Sequence, residues 1–135
     1  MARFSFEICS IQQVDELVEY IDTHWVKNHV FVRSRELLDW QHKSKTGDFY
    51  NFIMARHNKT GDICGVLGFI PTSHYSSELE SEKEAWLAIW KVTEGPKYIG
   101  LGLGLLNFLK KSFFIENICS IGISPIVYPM YQTLG

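Results

Sequence analysis

The most informative segment of this 135-residue sequence runs from Val92 to Leu106 and reads VTEGPKYIGLGLGLL. An apolar stretch leads into a polar turn, and a helical pattern then begins through three alternate glycines, Gly100, Gly102 and Gly104. The unpaired N–H groups of a first helical turn, together with the helix dipole, favour an anion such as a phosphate. Glycine inside a helix costs about 1 kcal/mol relative to alanine, so these glycines need a compensating role. That role is either anion binding or close packing of the helix on a sheet.

Two common phosphate-binding motifs do not fit this segment. A dinucleotide-binding fold requires G-x-G-x-x-G, but Leu105 occupies the position of the third glycine. The next predicted strand also ends at Ser124 without the acidic residue that binds a ribose. A P-loop is excluded because no G-K-[ST] follows the glycines.

Composition limits the class of protein. The chain is 46% hydrophobic and 21% charged, with a formal net charge of -2, so we predict one packed domain over residues 1–135. This charge argues against nucleic acid as a partner, and no apolar run reaches the roughly 18 residues of a membrane span. Cys9, Cys64 and Cys119 form no C-x-x-C pair, which is typical of reduced, buried thiols in a cytoplasmic protein. The histidines lack metal-ligand spacing, and we predict no metal.

Hydrophobic periodicity and turn residues predict the element order β-α-α-β-β-β-α-β-α. Three consecutive strands imply antiparallel pairing, and the later strand-helix-strand unit implies a parallel pair. We therefore expect an α/β (α+β) fold in which helices flank a mixed sheet. The predicted strands are 3–9, 50–57, 63–71, 85–92 and 118–124, and the predicted helices are 11–25, 35–43, 101–113 and 125–134.

Two motifs make the sequence resemble the GNAT superfamily of acyl-CoA-dependent N-acyltransferases. Residues Lys97–Gly102 (KYIGLG) match the family signature [QR]-x-x-G-x-[GA], with lysine at the first position. Val92 stands at the expected strand end, and a leucine pair follows the signature. Residues 124–135 match a second signature, N-x(6)-Y-x-x-L-G, with Ser124 replacing the asparagine. The predicted element order also matches the family from the first strand to the fourth helix.

The resemblance implies acetyl-CoA as cosubstrate and direct attack of an amine on its thioester. Backbone groups near Trp90 and Val92 would pair with the pantetheine arm, where their strand splays from the strand ending at Ser124. Main-chain N–H groups would hold the pyrophosphate. The residues implied are Lys97, Tyr98, Ile99, Gly100, Leu101, Gly102, Leu103 and Gly104. The side chain of Lys97 either adds positive charge or is simply solvated.

The resemblance also implies two proton-transfer residues. Tyr131, in the Y-x-x-L-G segment, would protonate the leaving thiolate, unless it only packs on the last helix. Glu84 is the first candidate for the base that deprotonates the amine, and His74 is the second. Both are alternatively solvated loop residues. Acidic residues at 78, 80, 82 and 84 form a solvated loop or attract a cationic amine.

The sequence also predicts the placement of two tryptophans and the character of the C-terminal segment. Period-two alternation places Trp86 and Trp90 on one strand face, either in the core or as a wall of the cleft. Pro129 interrupts the last predicted helix. Family members continue with two more strands, so the resemblance implies a domain that is incomplete at its C-terminus and a homodimer formed through the open sheet edge.

The sequence leaves three functions open. The first is a GNAT-like N-acetyltransferase that acts on a small-molecule amine, with an amino sugar as an analogy-based guess. The second is a non-catalytic GNAT-like module that binds CoA or a partner. The third is a different mixed α/β domain whose glycines serve packing.

Overall fold

The computed structural model describes residues 3–74 and 84–120. Its strands and helices are β1 (Phe4–Ser10), α1 (Val14–Tyr20), α2 (Val30–Arg33), α3 (Arg35–His42), β2 (Phe49–His57), β3 (Ile63–Pro71), β4 (Glu84–Val92), α4 (Leu101–Phe113) and β5 (Asn117–Ser120). The strands form one sheet in the order β1-β2-β3-β4-β5. The first four strands are antiparallel neighbours, and β5 is parallel to β4. The predicted mixed sheet with flanking helices is confirmed.

Two hydrophobic cores lie on opposite faces of the sheet. Leu17 of α1 and Leu38 of α3 pack against Phe52 on one face. Leu105 of α4 packs with Leu67 on the other face. Alternation along β2 and β3 supplies both cores, because successive side chains of a strand point to opposite faces. The glycine-rich helix α4 is therefore held against one face of the sheet, while α1–α3 cover the other face.

The predicted helix that begins after Ser10 is confirmed, but its two ends differ from a regular α-helix. The backbone N–H of Ser10 donates to the side-chain oxygen of Gln13 at 2.9 Å, as in a capping box. A π-helical turn over Ile21–Trp25 follows α1. The short helix α2 was not predicted, because four residues show no periodicity. Its N-terminus is capped by His29, whose ring nitrogen accepts from the Phe31 N–H at 3.1 Å.

Arg56 joins three elements beside the β2–β3 turn. Its guanidinium donates to the carboxylates of Glu7 in β1 and Glu16 in α1, and to the backbone oxygen of Gly61. The Arg56 side chain is only 16% exposed, so this fork of charge-assisted hydrogen bonds lies partly out of water. It fixes α1 relative to the end of the sheet where β4 leads into α4.

The end of the chain lies outside the described residues. The predicted strand 118–124 is observed as Asn117–Ser120, and the rest of it is not described. The predicted last helix, 125–134, lies wholly outside. None of the helices within residues 3–74 and 84–120 is long and apolar enough to cross a membrane.

Candidate active site

Strand β4 carries one extra residue in the middle of the sheet. Gly68 of β3 pairs with Ile89, but the next residue, Phe69, pairs with Leu87. Ala88 therefore has no partner in the β3 register, and the strand bulges at this point. Such bulges are common beside active sites, because they bend a strand and change where its side chains point.

The bulge reverses the side-chain alternation of β4. Ala85 and Leu87 face the α4 core before the bulge, whereas Trp90 and Val92 face it afterwards. By strand alternation, Trp86 lies on the opposite face, and it is 39% exposed. The expectation that Trp86 and Trp90 share one face is therefore wrong. The period-two pattern could not show this, because a bulge is visible only in the pairing with another strand.

The backbone of β4 after the bulge points alternately towards and away from β3. The N–H of Thr93 donates to the carbonyl oxygen of Cys64 in β3 at 2.9 Å. Since successive residues of a strand direct their backbone groups to opposite sides, those of Val92 and Trp90 point away from β3. The described part of β5 pairs with Glu84–Leu87. Whether the two strands splay farther along lies outside the described residues.

Two backbone N–H groups of the turn between β4 and α4, both expected to donate to a pyrophosphate, donate to carbonyl oxygens of the turn itself. Gly95 and Gly100 have left-handed backbones, with φ of 138° and 84°, and glycine allows such angles at little cost. The Tyr98 N–H donates to the Gly95 oxygen at 3.1 Å, and the Ile99 N–H donates to the Pro96 oxygen at 3.4 Å. The turn thus occupies these two amides, and their part in holding a pyrophosphate stays a prediction. The Ile99 side chain remains 84% exposed beside the helix start.

The N-terminus of α4 keeps its open backbone at Gly100–Leu103. The Gly104 N–H donates to the Gly100 oxygen at 3.1 Å, so the amides before it precede the first intrahelical bond. A Cβ added at Gly100 would meet no described atom within 4 Å, which leaves the backbone accessible. Leu101 is buried in the α4 core, so this residue anchors the turn while its amide stays at the helix start.

Gly104 lets α4 pack closely on the sheet. A Cβ at this position would lie 2.6 Å from the ring tip of Phe6 in β1. Its N–H is already bonded within the helix, and the prediction that Gly104 binds the pyrophosphate stays untested. The packing role considered for the glycines therefore holds at this position, while Gly100 lies in open space.

Gly102 links α4 to β4. Its carbonyl oxygen accepts a hydrogen bond from the indole N–H of Trp90 at 3.2 Å. A Cβ on Gly102 would lie 3.4 Å from the same indole nitrogen, so the helix start rests directly on the bulged strand. This contact sets the position of the Gly102 and Leu103 amides relative to the backbone of Val92.

Positive potential at the helix start suits an anion. The helix dipole contributes partial positive charge there. Lys97 is exposed, and its ammonium lies 5.2 Å from the centre of the Tyr98 ring. Glu94, the acidic residue of the turn, lies 3.7 Å from the ammonium of Lys91. Open amides, a lysine and a neutralised carboxylate therefore fit a diphosphate at Gly100–Leu103.

A second hollow, of about 480 Å³, lies on the α1 side of the same turn. Glu19 and Asp62 line it together with Lys97. Glu16 also lines it, with its carboxylate bound by the Arg56 guanidinium. Acidic side chains outnumber the lysine, so the hollow suits a phosphate less well than the open amides do. Tyr20 also lines it, and its hydroxyl lies 3.0 Å from the Thr93 hydroxyl. Burial raises the pKa of Tyr20 to about 12, which keeps this phenol protonated at neutral pH.

The two candidate bases have different environments. Glu84 is the first residue of β4, not a loop residue, and its half-buried carboxylate accepts from the Thr72 hydroxyl at 3.4 Å. His74 is 6% exposed and its ring nitrogen lies 3.1 Å from the Trp40 oxygen. Burial beneath α3 keeps the His74 ring out of contact with an external amine. Tyr131 and Ser124 lie outside the described residues.

Within residues 3–74 and 84–120, no three His, Cys, Asp or Glu side chains are grouped to hold a metal ion.

The bulge residue Ala88 is the site feature that sequence reasoning missed. Alanine carries no signal for a bulge, and only an alignment of β4 against β3 could have located it.

Comparisons with known proteins identify the fold. No family model matches the sequence, and no curated protein matches it. An aminoglycoside acetyltransferase from an uncultured soil metagenomic sample superposes with a TM-score of 0.67 at 16% identity, covering 100% of this chain and 91% of that one. An aminoglycoside antibiotic 6'-N-acetyltransferase from Acinetobacter baumannii gives 0.65 at 19% identity, covering 98% and 89%.

The likeness extends to an acetyltransferase with a different acceptor. A ribosomal-protein-alanine N-acetyltransferase from Brucella melitensis superposes with a TM-score of 0.64 at 10% identity, covering 98% of this chain and 90% of that one. Identities this low establish the fold and leave the substrate open. The structural likeness shows that the chain has the fold of the GNAT superfamily of acetyltransferases.

Proposed function

We propose that this protein is an acetyl-CoA-dependent N-acetyltransferase that acts on a primary amine of a small molecule. One observation carries the proposal: the accessible backbone of Gly100–Leu103 directly follows a bulged strand and rests on it through Trp90. Two of the similar structures are aminoglycoside acetyltransferases, which makes an amino sugar the first acceptor class to test.

The residues present fit the diphosphate of CoA. The amides of Gly100, Leu101, Gly102 and Leu103 would donate to its oxygens, and Lys97 would add charge. The outward backbone groups of Val92 and Trp90 would pair with the amide-containing pantetheine arm, as a neighbouring strand would. This assignment keeps five of the eight predicted pyrophosphate residues. It leaves out Tyr98, Ile99 and Gly104, whose amides are bonded within the turn and the helix.

Acetyl-CoA supplies an activated acetyl thioester, and the chain orients it and manages protons. The amine nitrogen forms a bond to the acetyl carbon while the carbon–sulfur bond breaks and the thiolate leaves with the electron pair. Glu84 stays the predicted acceptor of the amine proton. It lies four residues, about 13 Å, from the bulge along β4, so the proton would have to reach it along a chain of several waters. Tyr131 stays the predicted donor to the thiolate.

We also propose that the protein is located in the cytoplasm. Cys9 and Cys64 are buried and unpaired, and burial raises the pKa of the Cys64 thiol to about 11. Unreactive free thiols suit a reducing compartment.

Two measurements test the proposal. Calorimetry should show binding of CoA, and a thiol-release assay should show turnover with at least one amine from a panel of amino sugars and diamines. Binding without turnover would favour the non-catalytic CoA-binding module. Absence of CoA binding would contradict both functions and favour a domain whose glycines serve packing.

A further inference from the structure

A partly apolar platform surrounds Trp86 on the sheet face that α1–α3 cover. Trp86 pairs with Ile70 of β3 and with Cys119 of β5. Directly paired residues share a face of the sheet, so these three side chains form a row across three strands. Ile70 and Cys119 are half-buried, whereas Trp86 is 39% exposed. The indole is therefore supported on both sides and open to solvent.

Glu84 adds negative charge beside this indole. It lies two residues before Trp86 on the same strand, ahead of the bulge, so both side chains share a face about 7 Å apart. The Glu84 carboxylate is half-buried and accepts from Thr72. Lys91 lies beyond the bulge, and its ammonium is near Glu94. An aromatic face beside a carboxylate is a favourable environment for an organic ammonium group.

Trp86 and the backbone that would bind the cosubstrate lie on opposite sides of the bulge in β4. The bulge at Ala88 separates Trp86 from Trp90, which faces α4 and supports the helix start. The cosubstrate would follow the backbone of Val92 and Trp90 towards the bulge. An acceptor that lies over Trp86 would thus approach the bulge from the other end of the same strand.

We propose that Trp86 is a specificity-determining residue that selects acceptors with a second, protonated amino group; this rests on the proposed function. The attacking nitrogen must be uncharged when it bonds to the acetyl carbon. An ammonium held against Trp86 is consequently a different group of the same molecule. The substrate class is a diamine or polyamine, including amino sugars with several amines.

A matched pair of acceptors tests this inference. Putrescine and butylamine have the same carbon chain, and only putrescine retains an ammonium while its other amine reacts. The wild-type protein should prefer putrescine in kcat/KM. Trp86→Leu should reduce this preference about tenfold through the KM for putrescine, while Trp86→Phe retains most of it and the affinity for CoA is unchanged. Trp40→Leu, which removes a 62% exposed indole from α3, should behave as wild type.

A binding experiment separates this inference from the proposed function. The indole N–H resonance of Trp86, identified by its loss in Trp86→Phe, should shift when putrescine is titrated in and should stay fixed with butylamine. An unchanged putrescine preference in Trp86→Leu, or an indole signal that does not respond to putrescine, overturns the inference. A protein that shows this shift but binds no CoA contradicts the proposed function alone.

Discussion

Gly100, Gly102 and Gly104 each need to be glycine for a different structural reason. Gly100 allows a left-handed backbone with φ of 84° in open space. Gly102 lets α4 rest on the Trp90 indole, and Gly104 makes room for the Phe6 ring. The sequence pattern of alternate glycines could not separate these roles, because each depends on what the fold places opposite the missing Cβ. Gly100 is therefore the one of the three glycines at which a side chain would change the ligand site without disturbing the packing of α4.

Gly100→Ala tests that role against a control at Gly61. Both glycines have positive φ, 84° and 76°, and neither has a described neighbour within 4 Å of an added Cβ. Each alanine should lower the free energy of unfolding by about 1 kcal/mol, because alanine is strained in this region. Only Gly100→Ala should also weaken CoA binding, by about tenfold, in calorimetry. Equal CoA affinities in the two variants would refute a ligand role for the Gly100 backbone.

At the scale of elements, the bulge in β4 and the Trp90 contact determine how strand and helix meet. The extra residue Ala88 brings Trp90 under α4, where its indole donates to Gly102. Without the bulge, regular alternation would turn Trp90 to the other face of the sheet. The alignment of the open amides with the strand backbone consequently depends on one irregularity in β4.

Trp90→Phe removes this hydrogen bond and keeps an aromatic ring in the core. We expect the free energy of unfolding to fall by about 1 kcal/mol and CoA binding to weaken several-fold, since the first turn of α4 loses its fixed position. Chemical denaturation and calorimetry measure the two effects. Trp40→Phe, at an exposed indole of α3, is the control. Retention of full CoA affinity by Trp90→Phe would show that the contact does not position the helix start.

Much of the element pattern follows from local sequence. Apolar spacing and flanking turn residues predict β3 at Ile63–Pro71 and α4 at Leu101–Phe113, and both have these bounds in the structure. The helix α2 and the bulge at Ala88 depend on contacts that are distant in sequence, so no local pattern reveals them. The glycine turn predicted the position of the site, while the hydrogen bonds of Tyr98 and Ile99 removed two of its expected donors.

For the whole molecule, the α1–α3 layer depends on a buried histidine. His42 is 0% exposed at the end of α3, and its ring nitrogen lies 3.2 Å from the Phe69 oxygen in β3. Burial lowers the pKa of His42 from 6.5 to about 4. The unfolded chain therefore binds more protons than the folded chain between these two values, and protonation favours unfolding.

This linkage predicts a loss of stability in weak acid. The contribution of neutral His42 is complete above about pH 6.5 and is lost as the pH falls towards 4. The free energy of unfolding should decrease by about 2 kcal/mol between pH 7.5 and pH 5, as measured by urea denaturation. His42→Gln should be less stable at neutral pH but should lack most of this slope, whereas His24→Gln should retain it. The same slope in His42→Gln would rule out His42 as its source.

The central claim is that the amides at the start of α4 bind the diphosphate of CoA. Amide resonances of the 15N-labelled protein, followed during a titration with CoA, test it most directly. The account predicts the largest shifts at Gly100–Leu103, with smaller shifts at Val92 and none at Leu38 of α3, on the opposite face of the sheet. Saturable shifts confined to the acidic hollow lined by Glu19 and Asp62, with Gly100–Leu103 unmoved, would contradict it.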